Sequence, residues 1–225
     1  MHHPRTRGGG WELKTQNSKL KTLPNLLCHN EPVLTVDDLR TALATYRPAE
    51  VPLEQDMARA AVAAILRRGA PGPEVLFIRR ADQPQDPWSG HMAFPGGRVD
   101  PGDEGPLAAA LRETREEVGL DLETAGERLG RLSEVRAIGR GRPLSMVICP
   151  FVFALDADPV LVTNHEVGAV VWVPLSFLAD RRNRDTMQYR RGGLELELPC
   201  YHFGEYLIWG MTLGMVDELL AIADR

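Results

Sequence analysis

A glycine turn running straight into an acid-studded helix constrains this chain more than any other feature. Gly96-Gly97-Arg98-Val99-Asp100-Pro101-Gly102-Asp103-Glu104 leads to Arg112-Glu113-Thr114-Arg115-Glu116-Glu117-Val118-Gly119-Leu120. The spacing predicts a helix over 106–118, with Leu107, Leu111, Thr114 and Val118 forming a stripe suited to packing on a sheet, and Gly119 as its stop. On that helix Glu113, Glu116 and Glu117 stand at i, i+3 and i+4, so their carboxylates share one patch. Like charges so placed cost about 0.2–0.5 kcal/mol per pair. A positive partner is expected, and hard divalent cations are the natural match for clustered carboxylate oxygens. A solvated acidic face is the plainer reading of a glutamate run. The glycine turn and the interleaved Arg112 and Arg115 favour a metal site.

The rest of the chain reads as alternating strands and helices around that turn. Thr35-Val36-Asp37-Asp38 has the form of a helix start leading through Leu39 and Leu43 to Pro48. Apolar runs over 60–66, 74–79, 129–138, 144–155 and 167–173 are expected strands, with Pro150 implying a bulge or an edge position. A short helix is expected over 174–180 and an arginine-rich loop over 181–193. A half-exposed strand over 194–198 and a closing helix over 206–222 complete the reading. Strands mixed with helices imply layered helix–sheet–helix packing. Residues 1–32, polar and carrying Gly8-Gly9-Gly10, are expected to be a flexible extension, and 33–225 a single domain.

Composition excludes more than it identifies. A net charge of −5 gives no global reason to expect nucleic-acid binding. Cys28, Cys149 and Cys200 lie far apart without a CxxC pair, as reduced thiols in a cytosolic protein would. No apolar run approaches membrane-spanning length, and the basic N-terminus lacks the apolar core of a signal peptide. A cytoplasmic protein without membrane or nucleic-acid partners is expected. Its oligomeric state is left open, a homodimer among the options.

The residues from Gly97 to Leu120 resemble the Nudix box, G-x5-E-x7-R-E-U-x-E-E-x-G-U with U apolar. Arg112-Glu113, Glu116-Glu117 and Gly119-Leu120 match it, while Thr114 fills an apolar slot. Asp103 takes the place of the first acid with eight residues before Arg112, or Glu104 takes it with the extra residue ahead. The entry Phe94-Pro95-Gly96-Gly97, Arg80-Ala81 and Ile208-Trp209-Gly210-Met211-Thr212 resemble the coenzyme A diphosphatase branch of that family. Asp86, near a position where the branch carries arginine, and His91-Met92 in place of Gln-Val depart from it.

The resemblance implies an α/β/α sandwich with a mixed β-sheet. It implies a hydrolase using Mg²⁺ or Mn²⁺ to cleave the pyrophosphate linkage of a small-molecule nucleotide. Coenzyme A or acyl-coenzyme A, giving 3′,5′-ADP and (acyl)phosphopantetheine, is the leading substrate. ADP-ribose, other nucleoside diphosphate derivatives and oxidised nucleoside triphosphates are the alternatives. A nucleotide-binding regulatory domain without turnover is the alternative of another class, against which the intact Arg112-Glu113 and Glu116-Glu117 speak.

Carried over by position, Glu113, Glu116 and Glu117 become metal-binding acids and the Gly96 carbonyl a backbone ligand. Arg112 becomes the arginine that positions them, and Asp103 or Glu104 a secondary acid. The general base is a box glutamate such as Glu113, or Glu166 on the later loop, whose plainer reading is a surface acid opening a strand. Arg98, Arg80 and His91 are the substrate-binding candidates. Arg79, Arg140 and Arg142 read first as surface cations, His165 as a solvated loop histidine and Phe94 as core, with Trp88 an option for base stacking.

Overall fold

A computed structural model describes residues 34–224 apart from 53, 55, 70, 71, 85, 87, 140, 141, 192 and 193, and apart from the side chains of 142, 191 and 194. The expected extension over 1–32, Cys28, Arg140 and the Arg142 side chain therefore lie outside the described residues.

The first helix, α1 (Val36–Thr45), starts where the sequence placed it. The Thr35 hydroxyl accepts from Asp38 N at 3.1 Å, and the Asp38 carboxylate accepts from Thr35 N at 2.8 Å, so two otherwise orphaned donors are satisfied reciprocally. Strands β1 (Ala58–Arg68) and β2 (Pro73–Arg80) form a hairpin. The short β3 (Met92–Ala93) and β4 (Gly96–Arg98) carry the chain to α2 (Pro106–Val118). A one-turn helix, α3 (Leu122–Ala125), precedes β5 (Gly126–Arg131), β6 (Val135–Gly139), β7 (Arg142–Leu155), β8 (Val167–Pro174) and α4 (Leu175–Ala179). The chain closes with β9 (Arg184–Arg191), β10 (Leu194–Phe203), β11 (Tyr206–Trp209) and α5 (Gly210–Ala223).

β1 is the centre of a mixed sheet, antiparallel to β2 and β4 and parallel to β7. Its side chains alternate between two cores, as strand geometry requires. Ala64 and Leu66, with Val75 and Phe77 of β2, face Leu39 and Leu43 of α1 and Val216 and Leu219 of α5. Ala63 and Ile65, with Leu76 and Ile78, face Val118 of α2. Helices thus cover both faces, and the expected α/β/α sandwich with a mixed sheet is the fold that forms. α2 meets the sheet through small residues, Ala109 and Ala110 against Ala61 and Cys149, which lets the helix sit close over the β1–β4 pairing.

Four expectations change. The single strand expected over 129–138 is two strands, β5 and β6, and the break has a cause in β7. Pro150 has no N–H to donate, and it lies between Ile148, opposite Val135, and Phe151, opposite Arg131. Leu132 N reaches its carbonyl at 2.9 Å. Pro150 is therefore in an interior strand, paired on its other side with Val62, and the irregularity falls on its neighbours. The loop expected over 181–193 is largely β9, paired along its length with β10. The closing helix begins at Gly210 rather than 206, because 206–209 pair with 200–203 as β11. α3 was not anticipated.

Candidate active site

The glycine turn and α2 are shaped to each other around two carboxylates. Gly96 has φ 148°, and a Cβ there would lie 2.1 Å from the Ala61 carbonyl oxygen, so only glycine lets β4 press onto β1. A Cβ at Gly97 would lie 2.3 Å from Glu113 Oε1. The missing side chain is the space that the Glu113 carboxylate fills. Gly96 N donates to Glu117 Oε2 at 2.8 Å, so Gly96 meets an acid here through its N–H. Glu117 is 1% exposed.

Burial acts on both acids. It pushes the Glu117 carboxyl up to about 8; the Gly96 N–H and the Arg80 charge oppose the rise, while Glu113 and Glu166 add to it. Glu113 is raised by burial, with Arg112 opposing and Glu116 and Glu166 reinforcing. Glu166 thus contributes to the field at both box acids, although it sits on a different loop. Its backbone is fixed there: Glu166 N donates to Asn164 Oδ1 at 2.8 Å, and its carbonyl accepts from Ala81 N at 2.7 Å at the end of β2. His165 beside it is exposed.

Arg112 organises the outer side. Its guanidinium forks onto Asp103, Nε to Oδ1 at 3.1 Å and Nη2 to Oδ2 at 3.0 Å. Nη1 donates to Glu113 Oε1 at 2.9 Å and reaches Glu116 Oε2 at 3.5 Å, and Nη2 also meets the Arg98 carbonyl at 3.0 Å. A bidentate fork of this kind fixes direction as well as charge. The Arg112 hydrogen bonds hold the Asp103 carboxyl below its ordinary range. The acid that reaches Arg112 is therefore Asp103, and Glu104 is exposed. Glu116 has its side chain 56% exposed. Because the acids are tied separately to Arg112 and Gly96, no group of three or more His, Cys, Asp or Glu side chains among the described residues is already drawn together as a metal cage. The expected shared patch is present as a helix face, with Glu113 held by Arg112, Glu117 by the Gly96 N–H and Glu116 toward solvent.

The substrate candidates divide. The Arg98 side chain is exposed and makes no ion pair among the described residues. Arg80 is held by Asp86, with Nε and Nη2 each 2.7 Å from Oδ2. Sequence reasoning named Asp86 only as a departure from a motif; an acid six residues after an arginine in a short loop was the available signal for the pair. His91 is half-buried, and burial, assisted by Arg80, lowers its pKa while Asp86 opposes. Its ring lies 4.9 Å from that of Trp209, which lies 5.4 Å from that of Tyr189. Sequence reasoning missed this row of rings because β9 was read as loop. Arg79 pairs with Asp82 at 2.9 Å. Phe94 is core, stacked on Phe77 at 5.2 Å. Trp88 donates its indole N–H to the Ile138 carbonyl at 2.9 Å.

Comparison with known proteins is consistent along most of the chain. The NUDIX domain family profile matches residues 57–191, more than half of the sequence. A protein of Enterobacter sp. named uncharacterized Nudix hydrolase NudL is 31% identical over 191 residues, covering 83% of this chain and 93% of that one. The human mitochondrial coenzyme A diphosphatase NUDT8 is 32% identical over 158 residues, covering 67% of this chain and 63% of that one. Among solved structures, a MutT/nudix family protein from Enterococcus faecalis superposes with a TM-score of 0.53 at 17% identity, covering 85% of this chain and 70% of that one. That likeness is one of fold. No helix among the described residues is long and apolar enough to cross a membrane.

Proposed function

This chain belongs to the NUDIX domain family, and from that premise we propose that it hydrolyses the pyrophosphate linkage of coenzyme A or an acyl-coenzyme A to 3′,5′-ADP and (acyl)phosphopantetheine. One observation carries the hydrolytic reading. The turn lacks a side chain at Gly97 where the Glu113 carboxylate lies, and it offers the Gly96 N–H to a buried Glu117. The similarity to NUDT8 supports the substrate.

The donor set fits a hard divalent cation. Glu113 and Glu117 are carboxylates withdrawn from water and mutually repelling, and a cation is the counter-charge that would let both ionise. Glu113, Glu116, Glu117 and the Gly96 carbonyl would hold Mg²⁺ or Mn²⁺, which supplies charge neutralisation at the phosphates and a more acidic attacking water. The remaining work belongs to side chains. Arg112, anchored by Asp103, keeps Glu113 and Glu116 from rotating away. Glu166 takes the proton of the water as its oxygen bonds to phosphorus and the bridging P–O bond breaks, with the electron pair leaving on the second phosphate. Arg98, exposed and without a carboxylate partner among the described residues, would meet a substrate phosphate.

Asp86 supports a second reading, ADP-ribose or another nucleoside diphosphate derivative. It engages the Arg80 charge within the loop, leaving one cation fewer for the 3′-phosphate that coenzyme A carries. A substrate panel separates the two: coenzyme A, acyl-coenzyme A, ADP-ribose, dinucleoside polyphosphates and nucleoside triphosphates, each with Mg²⁺ or Mn²⁺. Preferred turnover of the coenzyme A pair is expected. Preferred turnover of ADP-ribose selects the second reading, and tight nucleotide binding without turnover of anything overturns both. In the same assay Glu116→Gln is expected to slow the reaction at least about a hundredfold. An undiminished rate removes Glu116 from the ligand set.

A further inference from the structure

The rings of His91, Trp209 and Tyr189 form a row that the hydrolytic chemistry leaves unexplained. Their successive centroid separations of 4.9 and 5.4 Å, at interplanar angles of 56° and 43°, lie within the range of interacting aromatic pairs. All three are only half-buried. A row placed purely to fill core would be closed over, as Phe77 and Phe94 are. This one keeps part of its π-surface in solvent.

Its position relative to the acids is fixed by Arg80. Arg80 N donates to the His91 carbonyl at 3.0 Å, and the charge of its guanidinium acts on both His91 and Glu117. One end of the row therefore stands beside the arginine that borders the acidic site. The other end lies on the β9–β10 hairpin, where Tyr189 is opposite Leu196, itself 47% exposed. An apolar rim continues from the near end: His91 N is bonded to the Trp88 carbonyl, and Trp88 and Met211 both hold the backbone of Ile138, which is 48% exposed. Flat half-exposed rings bordered by apolar surface are the chemistry that stacks a nucleobase, because every base presents a π-face to an aromatic side chain. A linear apolar arm would gain little from ring faces over aliphatic side chains.

We propose that Trp209, supported by His91 and Tyr189, is the stacking platform for the base of the nucleotide, so that specificity for a nucleoside over other diphosphates resides in the small three-stranded sheet and not in the acidic helix. This rests on the reading that the substrate is a nucleoside diphosphate derivative. Its test therefore measures binding without hydrolysis. Full-length protein in EDTA is titrated with AMP and, separately, with ribose 5-phosphate, following tryptophan fluorescence and calorimetric heat. AMP is expected to bind at least tenfold more tightly than ribose 5-phosphate. Trp209→Leu is expected to erase that difference, Trp209→Phe to retain most of it, and Tyr189→Leu, which tests the row independently should the Trp209→Leu chain fail to fold, to reduce it. Equal binding of the two probes by the unaltered protein overturns the proposal, as does a Trp209→Leu or Tyr189→Leu protein that keeps the full preference. The two readings fail separately. A chain that hydrolyses coenzyme A yet binds both probes alike loses the platform, and one that hydrolyses nothing yet shows the Trp209-dependent preference keeps it.

Discussion

Replacing Glu117 by Gln should stabilise the metal-free protein, by an amount that grows as pH rises from 4.5 to about 8. Glu117 is 1% exposed, and burial raises its carboxyl from 4.5 to about 8. Between those values the folded chain holds a proton that the unfolded chain has released, so unfolding becomes easier as pH rises. Below 4.5 both states are protonated and no cost exists; above about 8 both are ionised and the cost is complete. Each pH unit of the interval corresponds to about 1.4 kcal/mol, which sets a ceiling of about 5 kcal/mol. Relaxation of the turn and entry of water reduce it, leaving an expected gain of at least about 1 kcal/mol. Glutamine carries no charge and still offers an oxygen to the Gly96 N–H, so the substitution isolates the ionisation. For a domain of this size about 1 kcal/mol moves the melting temperature by about 2–4 °C. Thermal and urea melts in EDTA at pH 5 and pH 9 should show near-equal stabilities at the first and a more stable variant at the second. Adding Mn²⁺ at pH 9 should raise the midpoint of the original protein and leave that of the variant nearly unmoved. A variant equally or less stable at both pH values would refute the reasoning, since the buried carboxylate would then cost nothing.

Further substitutions test how the turn and helix fit. Gly97→Ala would place a Cβ 2.3 Å from Glu113 Oε1. It should displace that carboxylate, lower kcat/KM at least about tenfold and cost about 1–3 kcal/mol of stability; an active, equally stable variant would show that Glu113 has no fixed place. Arg112→Lys keeps the charge but loses the fork to Asp103, with expected losses of about 1–2 kcal/mol in urea denaturation and of most activity. Retained activity would mean that only the charge matters.

The acidic helix was legible in the sequence because period, cap and function agree there: Pro106 opens it, Gly119 closes it with φ 69°, and the apolar stripe points inward. Burial of Glu117 was not legible, since its depth depends on how closely Ala109 and Ala110 let the helix approach Ala61. Which of Asp103 and Glu104 reaches Arg112 depended on the path of the loop, and the contact falls to Asp103. The small sheet was largely hidden. Arg184–Arg191 has too few apolar residues to announce a strand, and its identity comes from pairing with β10. Tyr206–Trp209 suits either a strand or a first helical turn, and the break at Gly210, φ 64°, distinguishes them. Asp86 could be placed against Arg80 only once β2 and the loop after it had a shape.

The parallel pairing of β1 with β7 makes assembly and protonation a single event. Ala61 and Cys149, partners in that ladder, are also sheet residues against which Ala109 and Ala110 of α2 pack. Along the chain α2 precedes β7, and until the two meet its glutamates have no apolar cover. Pairings so remote in sequence form late, because the intervening chain must be gathered first. Closing the ladder buries Glu117, and because burial raises its carboxyl to about 8, a chain folding near neutral pH takes up a hydrogen ion there, or a cation in its place.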